Sequence, residues 1–210
     1  MGVIVVLGRP GLAPNQLAGG AATLHGLAAG VALAAARAGA SVELVGSIGD
    51  DPEGDRVVVL LGQAGVGHAA LLRDPAGHTP LAPAGRTPVE PADDRAPAPR
   101  LEAEDVELGL RYLAEIRVLV LAEPLEPGAQ QAALDATRYH GAAVVAVVPP
   151  GSVPDPGLAE SGTVLEAPEE DVASFAEMVG RYAAGMATGM PAPEAFAAAT
   201  EAIGWERAET

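Results

Sequence analysis

The side chains that could do chemistry are few and scattered. The four histidines, His25, His68, His78 and His140, show no spacing typical of a metal site, and we expect isolated surface or loop residues. The densest carboxylate cluster is Glu169-Glu170-Asp171, which could hold a divalent cation. Carboxylates in the first turn of a helix, however, ordinarily complement the helix dipole. We therefore predict no metal site.

Several reaction classes are excluded by residue types that the chain lacks. It contains no cysteine and no lysine, which excludes disulfides, thiolate nucleophiles, Schiff-base chemistry and the lysine of a Walker phosphate loop. No Gly-x-Ser-x-Gly elbow is present to hold a serine nucleophile. The 28 acidic and 12 basic residues give a formal net charge of -16. We therefore expect no nucleic-acid partner, because nucleic-acid phosphates require a basic face.

The order of apolar runs and glycines predicts strands that alternate with helices. Short β-branched runs indicate strands, and longer runs with one apolar face indicate the helices between them. The predicted strands are 3–7, 41–47, 68–73, 117–122, 142–148 and 163–166. The predicted helices are the second half of 16–38, then 52–64, 102–116, 128–139, 167–188 and 192–203.

This alternation determines the predicted fold class, which is α/β. Right-handed crossovers give a mainly parallel sheet covered on both faces, a three-layer α/β/α Rossmann-like sandwich. We predict a single domain over residues 1–210 with a proline-rich loop at about 74–100. No apolar run approaches the roughly 20 residues of a membrane span, and no basic stretch precedes the first strand. We expect a cytoplasmic protein without a membrane partner.

The glycine spacing between residues 20 and 80 resembles that of the ribokinase-type (PfkB) carbohydrate kinase family. Gly26, Ala28, Ala32, Gly39 and Gly49 fall at the intervals of that family's N-terminal signature. The turn at 46–51, the helix end at 65–67 and the Thr-Pro pair at 79–80 follow in the family's order, and residues 101–175 match more loosely. The resemblance implies a ribokinase-like fold and descent from enzymes that phosphorylate sugars or nucleosides with ATP.

The same resemblance indicates which family features this sequence lacks. The stretch 8–15 has no Asp to hold sugar hydroxyls, and short loops and residues 81–100 replace most of the lid strands. A central strand that often ends Asp-Pro-Asn in the family ends at Val148-Pro149-Pro150 here, and Glu169 replaces the Asn of a Pro-Asn-x-x-Glu motif. No Gly-Ala-Gly-Asp is present. In the family the N–H groups of that loop hold the transferring phosphoryl group, and its Asp is the base.

Two alignments of the C-terminal third remain open. Either the chain passes directly from the helix at 169–171 to the family's last two helices, or the Glu169 region occupies the place of the missing loop. In the second case three carboxylates face the phosphate site, and Ala173 stands where the base belongs. Both alignments predict a protein without phosphoryl-transfer machinery, and we assign no catalytic residue.

By resemblance, the remnants of a ligand site are Asn15, His25, Gly26, Gly30 and Asp50. We predict a non-catalytic binding or assembly module, with a sugar or nucleoside as its ligand and a homodimer as its assembly. No cofactor is expected, since ATP and magnesium would be needed only if kinase activity survives. The alternatives are an active sugar or nucleoside kinase with an altered site and an unrelated Rossmann-like protein.

Overall fold

Six parallel strands form the central sheet of the computed structural model, which describes residues 2–13, 22–82 and 97–205. They run in the order β5-β4-β1-β6-β7-β8, with β1 Val3–Leu7, β4 Ser41–Gly49, β5 Leu71–Asp74, β6 Ile116–Leu121, β7 Ala143–Val148 and β8 Thr163–Glu166. A separate antiparallel pair joins β2 (Gly11–Ala13) to β3 (Thr23–His25). The helices are α1 Leu27–Arg37, α2 Pro52–Gln63, α3 Ala103–Arg111, α4 Pro127–His140, α5 Pro156–Ser161, α6 Val172–Ala187 and α7 Ala192–Ala202.

Alternation along the strands produces the two helical layers. In β1, Ile4 and Val6 contribute to the core on one face, and Val5 and Leu7 to the core on the other. Helices α1, α2, α6 and α7 cover the first face, and α3, α4 and α5 cover the second. Because the strands are apolar on both sides, both faces of the sheet are buried, as a parallel sheet requires. The predicted three-layer α/β/α sandwich with a parallel sheet is confirmed.

Helices α1 and α6 run parallel and touch through small residues. A Cβ added to Gly30 would lie 2.8 Å from the Cβ of Ala176, and one added to Gly180 would lie 2.5 Å from the Cβ of Ala34. These contacts are closer than packed side chains allow, so the two glycines let the helix backbones approach each other. The parallel pairing places the start of α6 at the same edge of the sheet as the start of α1.

Hydrogen bonds join the two ends of the proline-rich stretch to each other and to the end of β5. The N–H of His78 donates to the carbonyl of Pro97 (3.0 Å), and the N–H of Arg100 donates to Asp74 Oδ2 (2.8 Å). Residues 80–82 run beside β2, where the N–H of Leu12 donates to the carbonyl of Pro80 (2.9 Å). The chain therefore leaves the sheet at β5, adds a short segment to the β2–β3 pair and returns before α3.

Several predicted bounds differ from the structure. The helix predicted at 102–116 ends at Arg111, and the chain then turns at Glu115, which has a positive φ of 57°, and enters β6 at Ile116. The strand predicted at 68–73 begins only at Leu71. The short elements β2, β3 and α5 were not predicted. Among the helices of the described ranges, none has the length and apolar character needed to cross a membrane.

Candidate functional site

The chain changes direction across the sheet between β1 and β6. From β1 it moves outward to β4 and β5, and it then returns to the other side of β1 to form β6. The helix that follows β1 packs on one face, whereas α4, which follows β6, packs on the opposite face. The loops after the two strands therefore diverge and leave a crevice at the carboxyl edge. Open α/β sheets ordinarily bind their ligands in such a crevice.

An ion pair between Arg9 and Glu123 spans this crevice. Arg9 follows β1 and Glu123 follows β6, and the Arg9 Nε donates to Glu123 Oε1 over 2.7 Å. The backbone N–H of Arg9 donates to the same oxygen (3.1 Å), and Arg9 Nη1 donates to the carbonyl of Pro99 (3.3 Å). Neither residue was predicted from the sequence to belong to a site. Arg9 lies two residues beyond the predicted strand 3–7 and Glu123 one residue beyond the predicted strand 117–122, and these positions were the signal that could have identified them.

His25 and Gly26 lie on the β1 side of the crevice. Gly26 precedes α1 with a positive φ of 90°, and a Cβ added to it would lie 3.7 Å from the carbonyl oxygen of Arg9. His25 is exposed and pairs with Gly11 across the β2–β3 ladder. The structure thus brings Gly26 and Arg9 together, with His25 next to Gly26 at the end of β3.

The other predicted ligand residues lie elsewhere. Gly30 faces Ala176 of α6, so its lack of a side chain is explained by helix packing. Asp50 is exposed beyond β4, where its Oδ1 lies 3.5 Å from Arg73 Nη1 and its N–H donates to the carbonyl of Asp74 (3.2 Å). It therefore faces β5, on the far side of β4 from the crevice. Asn15 lies outside the described residues.

A second polar network lies at the start of α2. Asp51 Oδ1 accepts hydrogen bonds from the N–H of Gly54 (2.7 Å) and from the hydroxyl of Thr79 (2.7 Å). Its Oδ2 accepts from the N–H of Thr79 (2.9 Å) and lies 3.4 Å from His78 Nδ1. Burial alone would raise the pKa of Asp51, but the bonds from Thr79 and Gly54, with the nearby His78, outweigh burial and lower it. A cavity of about 460 Å³ adjoins this network beside Glu53 and Leu81.

Helix α6 begins at an unusual residue. Asp171 precedes it in the left-handed conformation, with a φ of 55° and a ψ of 42°, and its side chain accepts the N–H of Ser174 at 3.3 Å. Asp171, Val172 and Ala173 are all exposed. A carboxylate of the chain itself thus occupies the N-terminus of α6, where the helix dipole favours negative charge.

The stretch of sequence that forms β7, β8 and the first half of α6 carries charged residues of one sign only. From residue 141 to residue 180 the sequence contains seven acidic residues and no arginine, lysine or histidine. Glu166, at the end of β8, accepts the N–H of Gly151 in the turn after β7 (2.7 Å). Glu169 and Glu170 are exposed between β8 and α6. Within the described parts of the chain, no three acidic or histidine side chains are grouped closely enough to hold a metal ion.

Comparison with solved structures finds the same fold in sugar kinases. A PfkB protein from a Polaromonas species matches with a TM-score of 0.64 at 16% identity, over 94% of this chain and 92% of that one. A protein from E. coli assigned as ribokinase II, in complex with ATP and Mg²⁺, matches with a TM-score of 0.64 at 15% identity, over 94% and 90%. The 2-dehydro-3-deoxygluconokinase of Thermotoga maritima has a TM-score of 0.54 at 19% identity, over 77% of this chain and 53% of its own.

The sequence itself identifies the family. A comparison with curated proteins gave no match. The model of the pfkB family carbohydrate kinases, however, matches residues 17–152, which is more than half of the chain. The alternative of an unrelated Rossmann-like protein is therefore wrong. The ribokinase-like fold agrees with this match, and the chain belongs to the pfkB family of carbohydrate kinases.

Proposed function

We propose that this family member binds a small molecule or assembles with a partner without transferring a phosphoryl group. The observation that carries the proposal is the start of α6. There the chain has Glu170-Asp171-Val172-Ala173, preceded by Glu169, and Asp171 itself caps the helix. The position of α6, parallel to α1 with its start at the carboxyl edge, supports the alignment in which this segment takes the place of the family's Gly-Ala-Gly-Asp loop.

The residues around the start of α6 do not fit a nucleotide triphosphate with magnesium, the cofactors that the family implies. Phosphates are held by helix N–H groups, arginine or lysine. Here the Ser174 N–H donates to Asp171, and no basic residue occurs between 141 and 180. The nearby carboxylates repel a phosphate group, and Ala173 cannot accept a proton from an acceptor hydroxyl. We therefore derive no phosphoryl-transfer step.

The crevice between β1 and β6 supports the binding part of the proposal. It holds the polar side chains of Arg9 and Glu123 beside Gly26 and His25, at the position where sheets of this topology bind ligands. A neutral compound with several hydroxyls, such as a sugar or nucleoside, matches this mixture of donors and acceptors. Such a ligand needs no phosphate-binding group, so it is compatible with the acidic start of α6.

The test measures turnover and binding separately. Purified protein is incubated with ATP-magnesium and a panel of sugars and nucleosides, and ADP release is followed. We expect no release above background, because base and phosphate-binding groups are replaced together and their loss removes the main sources of catalysis. Binding of the same panel without nucleotide is measured by calorimetry, where a sugar or nucleoside that binds supports the binding arm.

A variant at the start of α6 distinguishes ADP release by this protein from ADP release by a contaminating kinase. The substitutions Glu169→Gln, Glu170→Gln and Asp171→Asn change the local charge, so turnover at this site must change with them, whereas contaminating turnover stays the same. ADP release by the wild-type chain that these substitutions alter would contradict the proposal and favour an active kinase with an altered site.

The second part of the proposal is that the chain assembles with a second copy of itself. The contact would lie on the side of the sheet that carries the short β2–β3 pair. Thr23 and His25 are exposed there. The net charge of -16 opposes association, most strongly at low ionic strength. We expect a dimer by light scattering at micromolar protein in 0.15 M salt, and a monomer under these conditions would contradict this part.

A further inference from the structure

The Arg9 side chain lies in the crevice between β1 and β6. Its guanidinium lies between the loop after β1 and the loop after β6, at the point where the helices that follow depart to opposite faces of the sheet. The charged side chains of Arg9 and Glu123 are each only 27% exposed. Water screens the attraction in such a partly buried pair less than it does in a surface ion pair. Breaking the pair therefore costs more free energy than breaking a surface pair does.

The contacts of Arg9 join three segments of the chain. Nε and the backbone N–H both donate to Glu123 Oε1, at 2.7 and 3.1 Å, and Nη1 donates to the carbonyl of Pro99 at 3.3 Å. Arg9 thus connects the end of β1 with the end of β6 and with the return of the proline-rich stretch. These are charge-assisted hydrogen bonds, which are stronger than bonds between neutral groups.

A small cavity adjoins this side chain. The adjoining cavity measures about 300 Å³ and is lined in part by Arg9, Pro99, Arg100 and Pro124. That volume is at the lower limit of small-molecule sites. A hydroxyl group that approaches Glu123 Oε1 would meet the two N–H groups of Arg9 already bonded to it. A ligand hydroxyl that bonds to Glu123 Oε1 must therefore displace the Arg9 donors.

We infer that Arg9 is a built-in occupant of the crevice, which closes it until a neutral polyhydroxy compound displaces the guanidinium from Glu123. This inference rests on the proposed binding function, because it concerns the same crevice. The hydroxyls of such a compound would replace the Arg9 donors on Glu123. A sugar or nucleoside therefore binds the wild-type chain weakly, since its contacts are offset by those that Arg9 loses.

The experiment compares the calorimetric affinities of Arg9→Ala and the wild type for D-ribose, D-fructose and adenosine. Removal of the guanidinium is expected to raise the affinity for at least one of these probes by tenfold or more. Arg138→Ala is the matched control, because this exposed arginine on α4 pairs only with its neighbour Asp135 among the described residues. It removes the same charge and should leave the affinity unchanged.

Two further variants keep the test decisive. Arg9→Met retains much of the aliphatic length of the side chain and replaces Arg9→Ala if that variant melts too low to measure. The double variant Arg9→Ala/Glu123→Gln should lose most of the gain, because the carboxylate exposed by the first substitution is then neutral. A gain that does not depend on Glu123 would contradict the inferred displacement.

The remaining outcomes separate this inference from the proposed function. If Arg9→Ala and the wild type bind a probe with equal affinity, the inference that Arg9 occupies the ligand position is wrong. The proposed binding function is then unaffected. If neither Arg9→Ala nor Arg9→Met binds any probe, the inference is wrong. Assembly with a partner is then the part of the proposed function that remains. Neither result bears on the expected absence of ADP release, which is measured independently.

Discussion

Asp51 and Thr79 hold the start of α2 against the first residues of the proline-rich stretch. The carboxylate of Asp51 accepts both the N–H and the hydroxyl of Thr79, at 2.9 and 2.7 Å. The same hydroxyl accepts the N–H of Gly49 at the end of β4 (3.0 Å). Thr79 is only 4% exposed, so its hydroxyl lies where water cannot replace a lost partner.

Removal of the Thr79 hydroxyl should destabilise the fold. In Thr79→Val the Gly49 N–H and one oxygen of Asp51 lose a buried partner, which costs about 1–3 kcal/mol. For a chain of this size each kcal/mol lowers the melting temperature by about 2–4 °C. Thr188→Val is the matched control, because Thr188 is exposed at the end of α6, and it should change stability by less than about 0.5 kcal/mol. Equal melting of the two variants would show that the buried network contributes little.

The same network predicts a pH dependence of stability. Burial raises the pKa of Asp51, but the hydrogen bonds from Thr79 and Gly54 and the nearby His78 bring it below 3.8. A carboxyl with a lowered folded pKa stabilises the fold above its unfolded pKa, and that contribution is lost as the pH falls through the folded pKa. Asp51→Asn should therefore melt below the wild type at pH 7, and the difference should shrink once the pH falls below about 4.

Other carboxylates titrate in the same range, and the variant comparison removes their effect. The N–H groups of Arg100 and Ala76 lower the pKa of Asp74, so wild type and variant both lose stability in acid for this reason. Only the difference between their melting curves reports on Asp51. A difference that stays constant from pH 7 down to about pH 2.5 would show that Asp51 is not stabilised in its charged form.

The layers of the fold could be predicted from the sequence because most strands are short apolar runs, and several of them are flanked by glycines. Val3–Leu7 and Thr163–Glu166 have the predicted bounds. The short β2 could not be predicted, since its three residues, Gly11–Ala13, are set by pairing with β3 and with residues 80–82. The end of α3 was misplaced because apolar periodicity continues past the point where Glu115 turns the chain into the sheet.

The candidate site was harder to predict than the fold. Resemblance alone assigned Gly30 to a ligand site, and that assignment stays a prediction; the structure shows that a Cβ there would also meet Ala176. Arg9 and Glu123 are 114 residues apart in sequence, and only the strand order places them at one crevice. A single sequence contains no local signal for that pairing, so the crevice becomes visible only once β6 is known to lie beside β1.

The close contact between α1 and α6 predicts how a methyl group added at Gly180 changes the stability of the fold. A Cβ on Gly180 would lie 2.6 Å from the carbonyl oxygen of Val31 and 2.8 Å from the N of Ala35. These are backbone atoms, which cannot turn aside as a side chain can. Alanine gains about 1 kcal/mol in helix propensity, but overpacking typically costs about 1–3 kcal/mol. We therefore expect Gly180→Ala to lower the melting temperature.

The control is the same substitution in another helix. A Cβ on Gly62, an exposed residue of α2, would have His68 Cε1 as its nearest neighbour, at 3.4 Å. Gly62→Ala should therefore be neutral or stabilising by up to about 1 kcal/mol. If Gly180→Ala were as stable as Gly62→Ala, then α1 and α6 would have room to move apart.

The acidic start of α6 predicts that neutral side chains there raise the affinity for ATP-magnesium. Each carboxylate repels a phosphate charge about 4 Å away by roughly 1 kcal/mol in water, so Glu169→Gln/Glu170→Gln/Asp171→Asn together should strengthen nucleotide binding by up to about 3 kcal/mol. Asn also tolerates the left-handed conformation of residue 171 and caps helices well. The fold should therefore survive, and nucleotide binding should appear as thermal stabilisation.

The control variant is Glu107→Gln/Glu194→Gln/Glu201→Gln, which changes the net charge equally at exposed positions in α3 and α7. Equal stabilisation of both variants by ATP-magnesium would mean that overall charge, and not the start of α6, keeps the nucleotide away.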